Sequence, residues 1–272
     1  MDHFTDREFE RASAYLSRTY GLDMRSKRVM LECRLSRERD RLGLPSFDSY
    51  LNMVESGKNP EASARFIDLV TTHYTYFFRE RKQFEFLRDT AFPKLERGRR
   101  RRRWNILCAG CSTGEECYSV SMLVEDYAQT HRIPPVRIHG IDVSEPALRE
   151  ARAAVYPASR VDKAPHRWMM SYFAKSDEGY AVTDRIRKRV SFECANLSDP
   201  DPLSGTYDLI LCRNVIIYFD ERARSRTLNT LHRHLAPSSY LVLGHAEIMR
   251  DRAPFSYCGD SIYQKQAEET PL

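Results

Sequence analysis

The chain has 272 residues, of which 42% are apolar and 30% are charged, and its net charge is +5. No apolar run approaches the roughly 20 residues that cross a bilayer, and no basic-then-apolar signal peptide opens the chain, so membrane-spanning and disordered classes are excluded and a globular cytoplasmic protein is predicted. The positive excess lies in residues 1–103, which hold 23 Lys and Arg against 16 Asp and Glu, and it predicts an acidic partner surface or nucleic acid.

Four helices are predicted in the first third of the chain. Thr5 and Glu8 form a capping-box pattern, apolar residues follow at helical spacing, and Gly21 is placed to end the first helix. Further helical patterns cover residues 26–41, 46–56 and 61–70. We therefore predict an all-α N-terminal domain over residues 1–75 and a linker over residues 76–103.

From Trp104 onward, short apolar runs alternate with helical patterns. The runs predicted as strands are residues 105–109, 136–141, 190–194, 207–212 and 240–243. The helical patterns between them are residues 115–128, 145–154 and 220–235. This alternation predicts an α/β fold with a parallel sheet covered by helices on both faces, and residues 255–265 can add an antiparallel pair.

The segment after residue 155 interrupts this alternation, because it is partly polar and longer than a usual connection. It predicts a small inserted β-subdomain over about residues 156–192. Short strands are predicted within it at residues 180–183 and 189–192. Long insertions beside the carboxyl end of a sheet are often functional.

Seven cysteines are scattered through the chain. An odd number without an export signal argues against a disulfide framework. Cys108 and Cys111 form a lone CxxC, and no second ligand pair stands at a spacing suited to zinc. We interpret them as one strand-end and one loop cysteine and expect no metal site.

The first predicted strand runs into a turn of small residues, 110–114, and Glu115 and Glu116 follow at a helix start. The turn has neither the GxGxxG of dinucleotide sites nor the Gly-Lys-Ser/Thr of a P-loop. Acidic residues disfavour a pyrophosphate and suit a cationic ligand, such as S-adenosylmethionine with its ammonium and sulfonium groups. The alternative is a plain strand-to-helix turn whose acids interact with the helix dipole.

Asp142 follows the second predicted strand, at the edge where ligands of open α/β sheets bind. A carboxylate there can accept hydrogen bonds from both ribose hydroxyls of an adenosine. Ser144 and Pro146 then begin a helix as N-cap and early proline. The alternative is an ordinary turn acid, but acids at two neighbouring strand ends together favour the adenosine ligand.

Four segments resemble the motifs of one known family. They read TTHYTYFFR at residues 71–79, GCSTGEECYS at 110–119, CRNVIIYFD at 212–220 and LGHAE at 243–247. Their order and spacing are similar to those of the CheR-type methyltransferases, which methylate glutamate side chains of bacterial chemoreceptors. The resemblance covers about residues 5–265.

The resemblance implies a Rossmann-like S-adenosylmethionine-dependent methyltransferase domain over residues 104–272, with the β-subdomain inserted in it and the all-α domain before it. It also implies S-adenosylmethionine as cofactor, S-adenosylhomocysteine as product and glutamate methyl esters on the receptor. The cofactor contacts that it implies are His73, Thr75, Arg79, Gly110, Glu115 or Glu116, Asp142, Asn196, Leu197, Arg213 and Asn214. Arg79 and Tyr218 are the residues that it places at the reacting methyl.

The chain departs from the family pattern at three motif positions. His73 stands where the family has asparagine, Cys117 where it has proline, and Ala246 where it has serine. A histidine can still donate or accept one hydrogen bond, although histidines in general change charge near neutral pH. The changes at residues 73 and 246 therefore bear on the detail of the cofactor site.

Methyl transfer to a glutamate needs alignment rather than a general base, because the unperturbed carboxyl pKa is about 4.3 and the group is already ionised. We expect Arg79 to orient the acceptor carboxylate through a charge-assisted hydrogen bond and Tyr218 to shape the acceptor pocket. The alternatives are a surface ion pair between Arg79 and Glu80, and a core-packing role for Tyr218.

The second helical segment carries a cluster of basic residues, which we expect to attract glutamate-rich receptor helices. They are Arg25, Lys27, Arg28, Arg34, Arg37, Arg39 and Arg41. The alternative is a solvated helix face. Two other functions are disfavoured by the motifs: an RNA methyltransferase that contacts phosphate through the arginines of residues 99–103, and a non-catalytic module that senses the cofactor or docks on a receptor.

Overall fold

The computed structural model describes residues 4–98, 103–249 and 254–266. Its N-terminal part contains the helices α1 (Asp6–Tyr20), α2 (Arg28–Arg41), α3 (Phe47–Glu55) and α4 (Pro60–Val70). The capping box is present, since Thr5 Oγ1 accepts from Glu8 N at 3.2 Å and the Glu8 carboxylate accepts from Thr5 N at 2.9 Å. Gly21 ends α1 with the left-handed φ of 69° that favours glycine. The buried faces of these helices form one apolar core.

The segment predicted as a linker is largely helical and packs on the next domain. It contains α5 (Arg81–Phe86), a π-helical turn (Leu87–Ala91) and α6 (Phe92–Arg97). The Phe92 ring lies 5.7 Å from the Trp104 ring, centroid to centroid, and both side chains are fully buried. This segment is therefore fixed against the first strand of the sheet.

The remainder alternates strands and helices. In chain order the elements are β1 (Trp104–Ala109), α7 (Glu115–Tyr127), β2 (Val136–Asp142), α8 (Glu145–Ala153), β3 (Val155–Tyr156), α9 (Ala158–Val161), α10 (His166–Tyr172), β4 (Phe173–Ser176), β5 (Gly179–Val182), α11 (Asp184–Arg187), β6 (Val190–Cys194), β7 (Tyr207–Cys212), a 3-10 turn (Ile216–Tyr218), α12 (Glu221–His234), β8 (Leu235–Leu243), β9 (Phe255–Tyr257) and β10 (Ile262–Lys265).

The large sheet has the strand order β6-β2-β1-β7-β8-β10-β9. The first five strands are parallel, and β10 and β9 add the antiparallel pair predicted near the C-terminus. The central strands β1 and β7 are almost completely buried, as their continuous apolar runs indicate. The α/β fold is thus confirmed, and the carboxyl ends of β2, β1 and β7 meet at one edge.

The insertion is a small antiparallel sheet of order β3-β5-β4. The strand predicted near residues 180–183 corresponds to β5. The insertion strand predicted at residues 189–192 is wrong, because these residues begin β6, which pairs in parallel with β2 at the edge of the large sheet. Phe192 explains the difference, since its ring packs 5.7 Å from that of Tyr118 on α7.

Two further features bear on function. Within the described ranges, no helix is both long and apolar enough to span a membrane. Cys108 lies in β1 and Cys111 in the turn after it, and both are buried free thiols. Among all residues that the structure describes, no group of three or more His, Cys, Asp or Glu side chains could hold a metal ion.

Candidate functional site

A cleft with two joined chambers lies at the carboxyl edge of β1, β2 and β7. The space in the wide chamber, including the solvent at its mouth, is about 760 Å³, and that in the narrow chamber is about 450 Å³. They share Thr72, Gly110, Ser112 and Asn214 in their walls, so they form one continuous site.

The structure brings most of the residues implied by the family motifs to this cleft. The wide chamber is lined by His73, Gly110, Asp142, Asn196, Leu197, Asn214 and Tyr218. The narrow chamber is lined by Thr75, Arg79, Gly110, Glu116, Arg213 and Asn214. Glu115 lines neither chamber.

Gly110 allows the backbone to approach a ligand between the two chambers. Its φ is 75°, and a Cβ built on it would lie only 2.3 Å from Val215 Cγ2. A side chain is therefore excluded both by backbone conformation and by space. The small residue predicted from the sequence is a steric requirement of the turn.

Asp142 is fixed at the end of β2 by backbone donors. Its two carboxylate oxygens accept from Ser112 N at 2.7 Å and from Ser144 N at 2.9 Å. Burial raises the pKa of Asp142, and these backbone hydrogen bonds oppose the rise. The carboxylate is thus oriented on the wall of the wide chamber before any ligand binds.

The adjacent glutamates at the start of α7 have different surroundings. Glu115 is fully buried, and its carboxylate accepts from Thr113 Oγ1 at 2.6 Å and lies 3.2 Å from Arg160 Nη1. Glu116 instead lies on the wall of the narrow chamber, 2.9 Å from Arg213 Nη1. Of the two acids, Glu116 is therefore the one that lines a chamber of the cleft.

Arg213 is the central charge of the narrow chamber. Its guanidinium lies between Glu116 and Glu80, 3.3 Å from the latter, and 5.3 Å from the Phe84 ring centroid. Arg213 also donates to the carbonyl of Arg79. Only 3% of the Arg213 side chain is exposed, so this network is shielded from solvent.

Two buried polar atoms in the walls have no hydrogen-bond partner in the described structure. They are Nε of Arg213 and Oγ of Ser112. Buried polar atoms are usually paired, so unpaired ones in a cleft wall fit a polar ligand. A carboxylate and a cationic amine beside Arg213 and Glu116, with an adenosine beside Asp142, match this set of donors and acceptors.

Arg79 and Tyr218 line different chambers. Arg79 Nη1 donates to the carbonyl of Tyr74 at 2.8 Å, and its guanidinium lies 5.6 Å from the Tyr74 ring centroid. Glu80, which the sequence offered as an ion-pair partner of Arg79, pairs with Arg213 instead. Tyr218 is half-buried, and its carbonyl accepts from Asp23 N at 2.8 Å, which joins the site to the N-terminal helices.

The loop after β6 is also attached to the N-terminal helices. Asn196 Nδ2 donates to the carbonyl of Thr19 at 2.7 Å, and Ser198 Oγ donates to that of Tyr20 at 2.8 Å. Leu197 is buried beside them. The wide chamber is therefore closed by residues from both halves of the chain.

Glu247 is a site residue that the sequence reasoning did not identify. It is fully buried, and its carboxylate accepts from the backbone N–H groups of Gly244, Asn214, Val215 and Ile217 at 2.6–3.2 Å. Burial raises its pKa, and these four bonds oppose the rise. Glu247 thereby fixes the turn after β7. In the sequence, this role was indicated only by the position of Glu247 as the acid of the LGHAE segment.

His73 is held by two side chains of the N-terminal part. Its Nε2 lies 3.1 Å from Asp68 Oδ1 and 3.0 Å from Thr71 Oγ1. Asp68 Oδ1 also accepts from Ser144 Oγ at 2.7 Å. Asp68 was not identified from the sequence, because the residue lies in the last turn of an ordinary amphipathic helix, α4.

Comparison with known proteins agrees with this geometry. Residues 73–263 match the family described as CheR methyltransferase, SAM binding domain, and residues 7–71 match the CheR methyltransferase, all-alpha domain. A chemotaxis protein methyltransferase of Borreliella burgdorferi is 33% identical over 97% of this chain and 95% of its own length. Chemotaxis protein methyltransferase 2 of Pseudomonas aeruginosa is 35% identical over 90% of this chain and 88% of its own length.

The two family matches follow one another along the chain and cover both the helical and the α/β parts. The cleft provides polar groups of the kind that the cofactor requires. The relatives are aligned over nearly their whole length. The chain belongs to the CheR family of S-adenosylmethionine-dependent methyltransferases.

Proposed function

We propose that this protein transfers the methyl group of S-adenosylmethionine to glutamate carboxylates of bacterial chemoreceptors, forming glutamate methyl esters. The observation that carries the proposal is the continuous cleft with Asp142 in one chamber and the Glu116–Arg213 pair in the other. Full-length similarity to chemotaxis protein methyltransferases supports the acceptor class. The corresponding location is the cytoplasm, where the methylated receptor helices lie.

The cofactor spans both chambers in this proposal. Asp142 accepts from the ribose hydroxyls, and Asn196 and Leu197 flank the adenine in the wide chamber. Glu116 and Arg213 hold the ammonium and carboxylate of the methionine end in the narrow chamber. His73, Thr75, Gly110 and Asn214 complete the walls around and between these two ends.

The sulfonium supplies an electrophilic methyl: the acceptor carboxylate oxygen forms the new C–O bond as the S–CH3 bond breaks and its electron pair stays on sulfur. Arg79 and Tyr218 are proposed to lie on the acceptor side. Arg79 orients the acceptor carboxylate with the donors that are not engaged by Tyr74, and Tyr218 shapes its pocket. Because the acceptor is already ionised, the residues align groups and exclude water rather than remove a proton.

The test is transfer of tritiated methyl from S-adenosylmethionine to cytoplasmic fragments of chemoreceptors. We expect labelled receptor that releases methanol in base, because methyl esters hydrolyse and methylated amines do not. Asp142→Ala should abolish the label together with calorimetric binding of S-adenosylhomocysteine. If wild type binds S-adenosylhomocysteine but labels no receptor, the non-catalytic module is supported instead. If the label on the receptor is not released by base, the product is not a methyl ester.

We further propose that receptor helices dock on the basic face of the N-terminal part, but through fewer residues than the sequence suggests. Arg25 pairs with Asp23, Arg28 with Asp6, Arg39 with Asp40 and Arg41 with Glu38, while Arg34 donates to the carbonyls of Leu69 and Thr71. Lys27 and Arg37 are exposed and have no such partner in the described ranges. Of the seven basic residues predicted to dock a receptor, these two are the ones whose charge is not engaged within the described part of the protein.

Of the arginine run at residues 99–103, on which the RNA methyltransferase alternative rests, residues 99–102 lie outside the described residues. No observation on the described part of the chain favours that function. The open site and its unpaired polar atoms are those of a small-molecule cofactor cleft.

A further inference from the structure

We infer that Asp68 is a positioning residue for the cofactor, because it fixes which nitrogen of His73 carries the proton. The inference rests on the proposed function, since it concerns recognition of the adenosine half in the wide chamber. His73 lines that chamber, whereas Asp68 lies behind it on α4 with 14% of its side chain exposed. Asp68 therefore acts through His73 rather than by touching the ligand.

Both neighbours of His73 Nε2 are acceptors. The Thr71 hydroxyl gives its proton to the carbonyl of Ile67 at 2.8 Å, so its oxygen can only accept from His73 at 3.0 Å. The ionised Asp68 carboxylate has no proton to donate, and its Oδ1 lies 3.1 Å from Nε2. Nε2 must therefore carry the hydrogen.

The other ring nitrogen is left for the ligand. In a neutral imidazole with hydrogen on Nε2, Nδ1 holds a lone pair and accepts hydrogen bonds. Nδ1 of His73 has no hydrogen-bond partner among the residues that the structure describes. The structure therefore assigns Nδ1 to a donor of the adenosine half, such as a ribose hydroxyl or the adenine amino group.

Asp68 is itself held in this position from two sides. Its Oδ1 accepts from Ser144 Oγ at 2.7 Å, and Ser144 N donates to the Asp142 carboxylate at 2.9 Å. Its Oδ2 accepts from Arg65 Nη1 at 2.9 Å. One carboxylate of the N-terminal part thus contacts both His73, on the wall of the wide chamber, and Ser144, which donates to Asp142 from behind that wall.

The test uses the full-length protein and the variant Asp68→Asn. An amide can donate to Nε2 through its nitrogen, so this near-isosteric change removes the charge-assisted requirement for hydrogen on Nε2 and leaves only the weaker one set by the neutral Thr71 hydroxyl. Nitrogen-15 NMR of the free protein at alkaline pH should show His73 as the Nε2–H tautomer in wild type and as a mixture in the variant. The dissociation constant of S-adenosylhomocysteine should rise roughly tenfold, the scale of one hydrogen bond to the ligand.

The matched control is Glu61→Gln, the same carboxylate-to-amide change at an exposed residue of α4. It should change neither the tautomer nor the affinity. A double-mutant cycle separates positioning from simple support of the fold, because Asp68→Asn should have little effect in a His73→Asn background.

An unchanged tautomer in Asp68→Asn, or an equal loss of affinity in the His73→Asn background, would overturn the inference. Failure of wild type to bind S-adenosylhomocysteine would instead remove the proposed function, while the tautomer of the free protein would still report on Asp68.

Discussion

At the scale of single residues, the adjacent Glu115 and Glu116 differ in what each carboxylate contacts. We expect Glu116→Gln to weaken S-adenosylhomocysteine binding roughly ten- to hundredfold, because it removes the charge that faces the narrow chamber and pairs with Arg213. Glu115→Gln is the matched control, since Glu115 is bonded to Thr113 and Arg160 away from the cleft. Calorimetry measures both, and equal losses would contradict the assignment of Glu116 alone.

The raised pKa of Asp142 predicts a pH dependence of cofactor binding. Only the ionised carboxylate accepts from both ribose hydroxyls, and protonation begins at a higher pH than for an exposed aspartate because burial disfavours the charge. As the pH falls from neutral, the affinity of wild type for S-adenosylhomocysteine should therefore begin to decline at a higher pH than it would if the pKa of Asp142 were that of an exposed aspartate. Asp142→Asn should bind weakly with a flatter profile; parallel declines in both proteins would assign the effect to other groups.

At the scale of elements, the turn between β1 and α7 depends on a glycine for two separable reasons. Gly110→Ala should cost more than about 1–2 kcal/mol of unfolding free energy, because it adds a clash with Val215 to the penalty of left-handed backbone, and it should abolish cofactor binding. Gly43→Ala is the control, since Gly43 has a φ of 65° with nothing within 4 Å of a built Cβ. Urea unfolding measures the loss of unfolding free energy in both variants. Similar losses would show that the structure around Val215 shifts to accommodate the added Cβ.

The positions of strand ends and helix starts could be predicted because periodicity and capping are local signals. One exception besides the insertion strand is β8, predicted at residues 240–243 but running over Leu235–Leu243. Its first half holds Pro237 and two serines, Ser238 has a φ of 60°, and the register with β7 shifts there. An irregular strand start of this kind loses the apolar alternation on which a sequence prediction depends.

The cleft could be predicted only in part for a related reason. Asp142, Glu116 and Gly110 lie at strand ends, where topology alone brings them to one edge. Their supporting partners, Asp68 and Glu80, come from distant helical segments, and only tertiary packing shows which side chains they reach. This is also why most of the basic residues predicted to dock a receptor turned out to be engaged within the protein.

At the scale of the whole molecule, Lys27 and Arg37 are the two members of the basic cluster at residues 25–41 that have no side-chain partner within the described ranges. Lys27→Glu with Arg37→Glu should raise the KM for receptor and reduce the salt dependence of methylation, because charge attraction to an acidic partner is lost. Affinity for S-adenosylhomocysteine should not change. Arg132→Glu with Arg137→Glu is the control of equal charge, since these exposed arginines lie before and at the start of β2, at the edge opposite the cleft. Equal effects of the two changes would indicate only a loss of net charge.

The wide chamber takes part of its wall from the N-terminal helices and part from the sheet edge, through Leu22, Ile67 and Val143 among others. In the proposed binding mode the cofactor contacts both the N-terminal helices and the sheet edge, so its binding should stabilise the contact between these two parts. Substitutions at the Asn196–Thr19 contact, which joins the two parts, should therefore act on the residence time of the product rather than on the chemical step.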